Sequence, residues 1–140
     1  IECLTDNKNR TVSDLRHALT KHGGSLGTNG SVSHLFRKVG IMKLLNVTED
    51  DLLEHMDFVD IEDFEMIETD CIIFTKPNEL FNTKKYFESK TVQVADEEII
   101  MDALITIEMS KDDEEQISDL SSKIEELDDV QNVYMNASLS

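Results

Sequence analysis

The chain has 140 residues, of which 39% are hydrophobic and 31% are charged, a balance typical of soluble globular proteins. No apolar run approaches the roughly 18 to 20 residues that a membrane-spanning helix needs, and no signal-peptide pattern is present, so we expect no membrane contact. The sequence therefore predicts a soluble cytoplasmic protein, with the mitochondrion as the alternative compartment.

The net charge of −17 is unevenly distributed. Residues 1–45 carry seven basic and three acidic side chains, a balance of +4, whereas residues 46–140 have a balance of −21. Nucleic-acid binding depends on Lys and Arg side chains that displace condensed counterions, and an acidic surface repels phosphate. Any contact with DNA, RNA or the ribosome is therefore predicted to involve residues 8–43.

The N-terminal part of the chain predicts the end of a strand over residues 1–4, a polar turn over 7–9 and a helix over 11–22. The helical spacing of three apolar residues predicts its buried face: Val12, Leu15 and Leu19. The pair Gly23-Gly24 is typical of a left-handed helix cap.

A glycine-rich loop follows over residues 25–30, where positive φ is favoured at Gly27, Asn29 and Gly30. Beyond it the pattern predicts two strands, over residues 32–38 and 41–45, joined by a tight turn near Val39-Gly40.

The central part of the chain alternates helix and strand signals. Thr48 is predicted to cap a short helix that ends near Met56, with Asp51 at the N3 position and Val47 and Leu52 forming a hydrophobic staple. The remaining predicted elements are strands over 64–67, 71–75 and 91–95, and a helix that begins at Pro77.

The C-terminal part predicts a strand, a helix and a closing strand. The strand would have one buried face, formed by Ala103, Ile105, Ile107 and Met109. Ser110 would cap the helix, whose apolar residues are Ile117, Leu120, Ile124 and Leu127, and residues 130–135 would close the fold. The element order predicts an α+β protein in which residues 1–42 and 100–140 form a split domain that carries residues 43–99 as an acidic inserted domain.

The helix over residues 11–22 carries a basic stripe. At 100° per residue, Arg10, His17 and Lys21 lie within about 40° of one another, and Asp14 in the same stripe could pair with Arg10. An ordinary solvated helix face is the alternative interpretation. The predicted nucleic-acid-binding residues are Lys8, Arg10, Arg16, His17, Lys21, Arg37 and Lys38.

The loop over residues 22–31 could present backbone N–H groups to an anion. The candidate residues are Gly23, Gly24, Gly27, Gly30 and Ser31. The loop lacks the GxxxxGK[ST] pattern and precedes a strand, so a purely structural loop is the favoured alternative to an anion site.

No pattern predicts catalysis, a metal, a cofactor or a small-molecule substrate. Cys3 and Cys71 lie in apolar contexts and are predicted to be buried reduced thiols. The four histidines have no HExxH pattern or paired base, and the acidic run over residues 112–115 fits a helix N-terminus. The sequence thus predicts that the protein is not an enzyme.

The segment NRTVSDLRHALTKHGGSLGTNGSVSHLFRKVG (residues 9–40) and the segment DDVQNVYMNA (residues 128–137) resemble the YebC/PmpR family. His34 departs from the family pattern, in which an aromatic residue is expected. The resemblance implies two ferredoxin-like α+β domains, the second inserted within the first, after a helical N-terminal domain that this sequence does not contain.

The resemblance also implies a role in gene expression. It points to a probable transcriptional regulator that acts on DNA, or alternatively to a translational activator that binds RNA or the ribosome. A protein-interaction module, in which the acidic insert docks on basic partners without nucleic-acid contact, is the competing hypothesis.

Overall fold

The computed structural model describes residues 1–139, which divide into two units. Unit 1 comprises Ile1–Phe36 and Ala103–Ser140, and unit 2 comprises Arg37–Asp102. The elements in chain order are β1 (Glu2–Cys3), α1 (Lys8–Lys21), a 3-10 turn (Ser33–Leu35), β2 (Phe36–Leu44), α2 (Glu49–His55), β3 (Asp63–Ile67), β4 (Asp70–Thr75), a 3-10 turn (Pro77–Glu79), α3 (Leu80–Ser89), β5 (Val94–Ala103), β6 (Ile107–Glu108), α4 (Lys111–Glu125), β7 (Val130–Asn132) and β8 (Ala137–Ser138).

Unit 2 has the order β-α-β-β-α-β of a ferredoxin-like fold. Its four strands lie in the order β3-β4-β2-β5, and β4 runs antiparallel to both β3 and β2. The buried residues of its core come mainly from β2, β4 and the two helices and include Met42, Leu44, Leu52, Ile73 and Phe87. The predicted α+β class, with one unit inserted in the other, is confirmed.

Unit 1 is built from two helices and two short strand pairs. α1 packs on α4, β1 pairs antiparallel with β7, and β6 pairs parallel with β8. Ile124 on α4 and Leu15 on α1 are its buried apolar side chains. Because α1 and α4 come from opposite sides of the insert, unit 1 joins residues more than 100 positions apart.

The two strands predicted over residues 32–38 and 41–45 are a single strand, β2, preceded by the 3-10 turn. Gly40 lies inside this strand and pairs with Thr75 of β4. A Cβ at Gly40 would lie 2.7 Å from Thr75 Oγ1 and 3.1 Å from Leu80 Cδ1, so glycine permits close packing and does not form a turn. The units divide at residues 36/37 and 102/103, whereas the sequence predicts boundaries at 42/43 and 99/100.

The strand predicted from Ala103 to Met109 is wrong. β5 ends at Ala103, and only Ile107 and Glu108 pair again, with β8. Ile105 is 78% exposed and Ile107 is 55% exposed. Alternation shows which residues share a face of a strand, but it does not show whether a second layer covers that face.

Candidate functional site

Helix α1, the predicted centre of the interface, begins earlier than the sequence pattern indicated. Asn7 is the N-cap, and its side chain accepts a hydrogen bond of 3.1 Å from the Arg10 amide, so the predicted polar turn is the cap and first turn of the helix. Thr11 and Leu15 are buried, whereas Val12, predicted to be buried, is exposed. The polar Thr11 therefore occupies a position that a purely apolar pattern cannot identify.

The C-terminal end of α1 confirms the predicted glycine stop. Gly23 has a φ of +80°, its amide donates to Thr20 O at 3.2 Å, and the Gly24 amide donates to Leu19 O at 2.8 Å. These two bonds form a Schellman motif. The glycine amides therefore satisfy the carbonyl groups of Leu19 and Thr20, and Lys21 lies in a well-defined last turn.

Arg10 is part of an ion-pair network in unit 1. Its Nη2 atom lies 2.9 Å from Asp129 Oδ2 and 3.2 Å from Asp6 Oδ1. Its carboxylate partners are thus Asp129 and Asp6, not Asp14 as predicted. Because two carboxylates already hold the guanidinium, Arg10 is less available to a phosphate than the sequence suggested.

Asp129 is the acceptor that joins the two chain segments of unit 1. Its Oδ2 atom accepts hydrogen bonds from Thr11 Oγ1 at 2.7 Å, from Arg10 Nη2 at 2.9 Å and from Thr5 Oγ1 at 3.0 Å. Its backbone oxygen also accepts from the Leu4 amide at 2.8 Å. The hydrogen bond from Thr11, followed by that from Arg10, lowers the pKa of the Asp129 carboxyl.

Sequence reasoning did not single out Asp129, because its partners lie 118 or more positions away in the chain. Periodicity reports neighbours within one element and carries no signal for such a contact. The only available signal was its position in the segment that resembles the YebC/PmpR family.

We expect Asp129→Asn to lower the melting temperature of unit 1 at neutral pH. The pKa of Asp129 is depressed in the folded protein, so its contribution is present above the unfolded pKa of about 4 and is lost as the pH falls through the folded pKa. Thermal unfolding across this range should therefore show a difference between wild type and variant that shrinks below about pH 4. Asp128→Asn, at the neighbouring exposed position, is the control and should behave like wild type. A difference that stays constant with pH would contradict this role of the charged carboxylate.

The predicted cations differ in their availability. Among residues 1–139, Lys8, Arg16 and Lys21 form no ion pair, and Arg16, His17 and Lys21 are exposed on α1. His17 and Lys21 stand one helical turn apart. These α1 side chains are therefore open to solvent.

The other two predicted cations, Arg37 and Lys38, belong to β2 of unit 2. Arg37 Nη1 lies 3.0 Å from Glu62 Oε2, so its charge is partly neutralised. Lys38 is exposed and forms no ion pair in the described part of the chain.

The glycine-rich loop retains few free amides. Gly23 and Gly24 donate to α1, and the Ser31 amide donates to Thr28 O at 3.1 Å. Within residues 1–139, no internal hydrogen bond holds the amides of Gly27 and Gly30, and Gly30 has a φ of +80°. Of the residues predicted to favour positive φ in this loop, Gly30 adopts it, whereas Gly27 and Asn29 do not.

A cleft of about 790 Å³ lies beside Arg10 and Asp129 in unit 1. Five carboxylates and one guanidinium line it, together with apolar and hydroxyl groups: Leu4, Thr5, Asp6, Arg10, Thr11, Asp14, Glu126, Leu127, Asp128 and Asp129. The excess of negative charge disfavours a phosphate in this cleft.

The described residues form no candidate metal site and no candidate membrane span. Within residues 1–139, no group of three or more His, Cys, Asp or Glu side chains could hold a metal ion. Cys71 is buried, and burial raises the pKa of its thiol to about 11. Cys3, predicted to be buried, is exposed because β1 pairs with β7 alone. No described helix is both long and apolar enough to cross a membrane.

The chain is similar to several known proteins. It is 39% identical over 142 residues to a probable transcriptional regulatory protein of Francisella tularensis, covering 100% of this chain and 57% of that protein. It is 40% identical over 141 residues to a probable transcriptional regulatory protein of Symbiobacterium thermophilum, covering 98% of this chain and 58% of that one. The chain thus spans a little over half the length of the curated relatives it matches.

A solved structure has a fold similar to that of this chain. The crystal structure of the conserved hypothetical protein Aq1575 from Aquifex aeolicus superposes with a TM-score of 0.81 at 37% identity, covering 97% of this chain and 57% of that one. Residues 1–137 match the family described as the TACO1/YebC second and third domain. The chain therefore belongs to the TACO1/YebC family.

Proposed function

We propose that this chain takes part in the regulation of gene expression without catalysing a reaction, and that the outer face of α1, formed by Arg16, His17 and Lys21, contacts the phosphates of DNA. The observation that carries the proposal is the set of unpaired, exposed cations Arg16 and Lys21, with His17 between them in sequence. The names of the relatives, probable transcriptional regulatory proteins, support the same class of function.

The charges of unit 1 support this choice of surface. Unit 1 has six basic and thirteen acidic side chains, so a phosphate approaching it at random meets an excess of negative charge. Arg10 is paired with two carboxylates, and Lys123 is paired with Glu126. Within residues 1–139, three of the four basic residues of unit 1 that form no ion pair lie on α1: Lys8, Arg16 and Lys21. Helix α1 therefore carries most of the cations of unit 1 that can displace counterions from a nucleic acid.

A second candidate function is translational activation through RNA or the ribosome. Two acidic surfaces favour it. Unit 2 has seven basic and seventeen acidic side chains, and the first turn of α4 contains Asp112, Asp113 and Glu114. Such surfaces are repelled by a long regular duplex. A ribonucleoprotein presents both local phosphates and basic proteins, so it would accommodate the acidic surfaces together with the basic face of α1.

The test measures the affinity of the whole chain for labelled duplex DNA and for structured RNA by fluorescence anisotropy, from about 50 to 200 mM salt. Arg16→Ala/Lys21→Ala should weaken binding and reduce the slope of log K against log salt by about 2. The matched control is Lys111→Ala/Lys123→Ala, which removes two cations from α4 of the same unit and should leave the slope nearly unchanged.

The outcomes separate the candidate functions. Stronger binding of duplex DNA, weakened by the α1 variant, supports the DNA proposal, and stronger binding of RNA supports the second candidate. Equal slopes for wild type and the α1 variant would refute the α1 interface. Absence of binding to either nucleic acid at low salt would instead favour the acidic protein-interaction module.

A further inference from the structure

Unit 2 exposes two phenylalanine side chains. Phe58, in the turn after α2, is 74% exposed, and Phe81, in the first turn of α3, is 64% exposed. Unit 2 buries Phe87 completely in its own core, so these two rings are not needed to complete that core. Scattered exposed apolar residues are common, so the surroundings of the rings must decide whether they have a role.

Phe58 is part of an ordered aromatic stack. Its ring lies 6.4 Å from the ring of Tyr86 at an interplanar angle of 18°. A hydrogen bond of 2.9 Å joins the Tyr86 hydroxyl to His55 Nδ1, and the Tyr86 ring also meets the buried Phe87 edge to face. Tyr86 is therefore fixed on both sides. The ring of Phe58 covers Tyr86 with one face, and its high exposure leaves the other face open.

A lysine lies over Phe81, and another lies over Tyr86 in the stack with Phe58. Lys85 Nζ lies 4.6 Å from the centroid of Phe81, and Lys90 Nζ lies 5.7 Å from the centroid of Tyr86. Both distances suit a cation-π contact. Phe81 and Tyr86 are five residues apart on α3, which is about 7.5 Å along the helix axis and about 140° around it. The two rings therefore lie on either side of the exposed face of α3, and the exposed Lys85 lies between them around the helix.

These two lysines differ from most of the basic residues of unit 2. Arg37, Lys43, Lys76 and Lys84 each pair with a carboxylate of the unit. Lys85 and Lys90 pair with rings instead, although unit 2 has seventeen acidic side chains. Within residues 1–139, no carboxylate forms an ion pair with either ammonium group, so both charges remain available to an anion beside the rings.

We propose that the surface formed by Phe58, Phe81, Lys85, Tyr86 and Lys90 binds single-stranded nucleic acid. Unpaired bases stack on the open face of Phe58 and on Phe81, and Lys85 and Lys90 contact the adjoining phosphates. Aromatic platforms combined with positive charge are the general means by which proteins hold unpaired nucleotides without reading their sequence. The surface combines exposed rings with ammonium groups, and a nucleic-acid strand likewise combines bases with phosphates. A purely apolar peptide would leave the lysines without a partner, and a purely acidic peptide would leave the rings without one.

This site lies entirely within unit 2 and goes beyond the function proposed for α1. It requires unpaired bases, because the bases of a duplex are stacked on one another and cannot cover a protein ring. Duplex binding through α1 and single-strand binding through α3 can therefore succeed or fail separately.

The test measures the affinity of the whole chain for labelled oligouridine RNA, oligothymidine DNA and a duplex of the same length. We expect Phe58→Ala and Phe81→Ala each to weaken oligouridine binding about fivefold or more. Phe58→Leu, which keeps the apolar character but removes the aromatic face, should lose as much as Phe58→Ala, whereas Phe58→Tyr should bind like wild type. Lys85→Ala/Lys90→Ala should weaken binding and flatten its salt dependence.

Leu53→Ala is the matched apolar control, because Leu53 is 49% exposed on α2 and belongs to neither stack. It should bind like wild type, and circular dichroism should show that every variant is folded. Equal affinity of wild type, Phe58→Ala and Phe81→Ala for oligouridine would overturn the proposal, as would the absence of wild-type binding at low salt. A parallel loss of duplex affinity would also overturn it, because the rings would then not be acting on unpaired bases.

The same measurements distinguish this proposal from that for α1. Adding Phe58→Ala to the Arg16→Ala/Lys21→Ala variant should weaken oligouridine binding by the same factor as adding it to wild type. Comparison of oligouridine with oligothymidine then identifies the preferred sugar, and either preference supports the stacking site.

Discussion

Phe87→Ala should lower the free energy of unfolding of unit 2 by about 3 to 5 kcal/mol. Phe87 has no exposed surface and lies in the core with Leu52 and Ile73. Its ring also meets His55 and Tyr86 edge to face, at centroid distances of 5.4 and 5.3 Å. Truncation removes these contacts and leaves a cavity that a close-packed core fills only in part. Urea unfolding followed by circular dichroism measures the loss, and hydrogen exchange assigns it to unit 2.

Phe81→Ala is the matched control for this prediction. It makes the same substitution in the same helix, but Phe81 is 64% exposed, so its effect should remain within about 0.5 kcal/mol. Similar losses for the two variants would contradict the placement of Phe87 in the core. If the two units unfold in separate transitions, the free energies of the two variants are compared for the unfolding of unit 2. Hydrogen exchange of the β4 amides identifies that transition.

Gly40→Ala should destabilise unit 2 by about 1 to 3 kcal/mol. The new Cβ would meet Thr75 Oγ1 at 2.7 Å and two Leu80 side-chain atoms at 3.1 and 3.2 Å. Thr75 is fully buried, and its hydroxyl donates to the Lys76 carbonyl at 2.9 Å, so it cannot move away freely. The added methyl group therefore separates β2 from β4 or from α3. Chemical denaturation, with hydrogen exchange along β2 and β4, measures the effect.

Gly27→Ala controls for the general effect of adding a methyl group to glycine. The Cβ at Gly27 would also meet a hydroxyl at 2.7 Å, but this is the Oγ of the exposed Ser31, which can rotate away. Alanine also restricts the unfolded chain, so the expected change is neutral or slightly stabilising. A loss at Gly27 as large as that at Gly40 would show that the close approach to Thr75 is not the cause.

The features predicted best from the sequence are those with local causes. Thr48 caps α2 as predicted, with Asp51 at N3 completing a capping box, and Ser110 caps α4 as expected. Ile124, taken from the spacing of apolar residues on α4, is buried. In each case, residues within one or two turns determine the structure, so the pattern carries the whole signal.

The features that the sequence did not reveal depend on contacts between distant segments. Gly40 resembled a turn residue, yet it is a strand position that needs glycine because Thr75 approaches it. Thr11 is buried because Asp129 accepts its hydrogen bond from the far end of the chain. The same bond network removes Arg10 from the set of free cations, so the candidate interface is smaller than the predicted one. The stacking surface was missed for a similar reason, since Phe58 and Tyr86 meet only after unit 2 folds.

The hydrogen bond from the Leu104 amide to the Leu35 carbonyl, at 2.9 Å, joins the two ends of unit 1 next to the insert. When unit 2 is unfolded, closing this junction means restraining a flexible loop of 66 residues, which costs about 4 kcal/mol in chain entropy. Folding of unit 2 pairs β2 with β5 and brings those ends together beforehand. We therefore expect a directional folding order, in which unit 2 forms from contacts within its own segment and the two chain segments of unit 1 come together after unit 2 has folded.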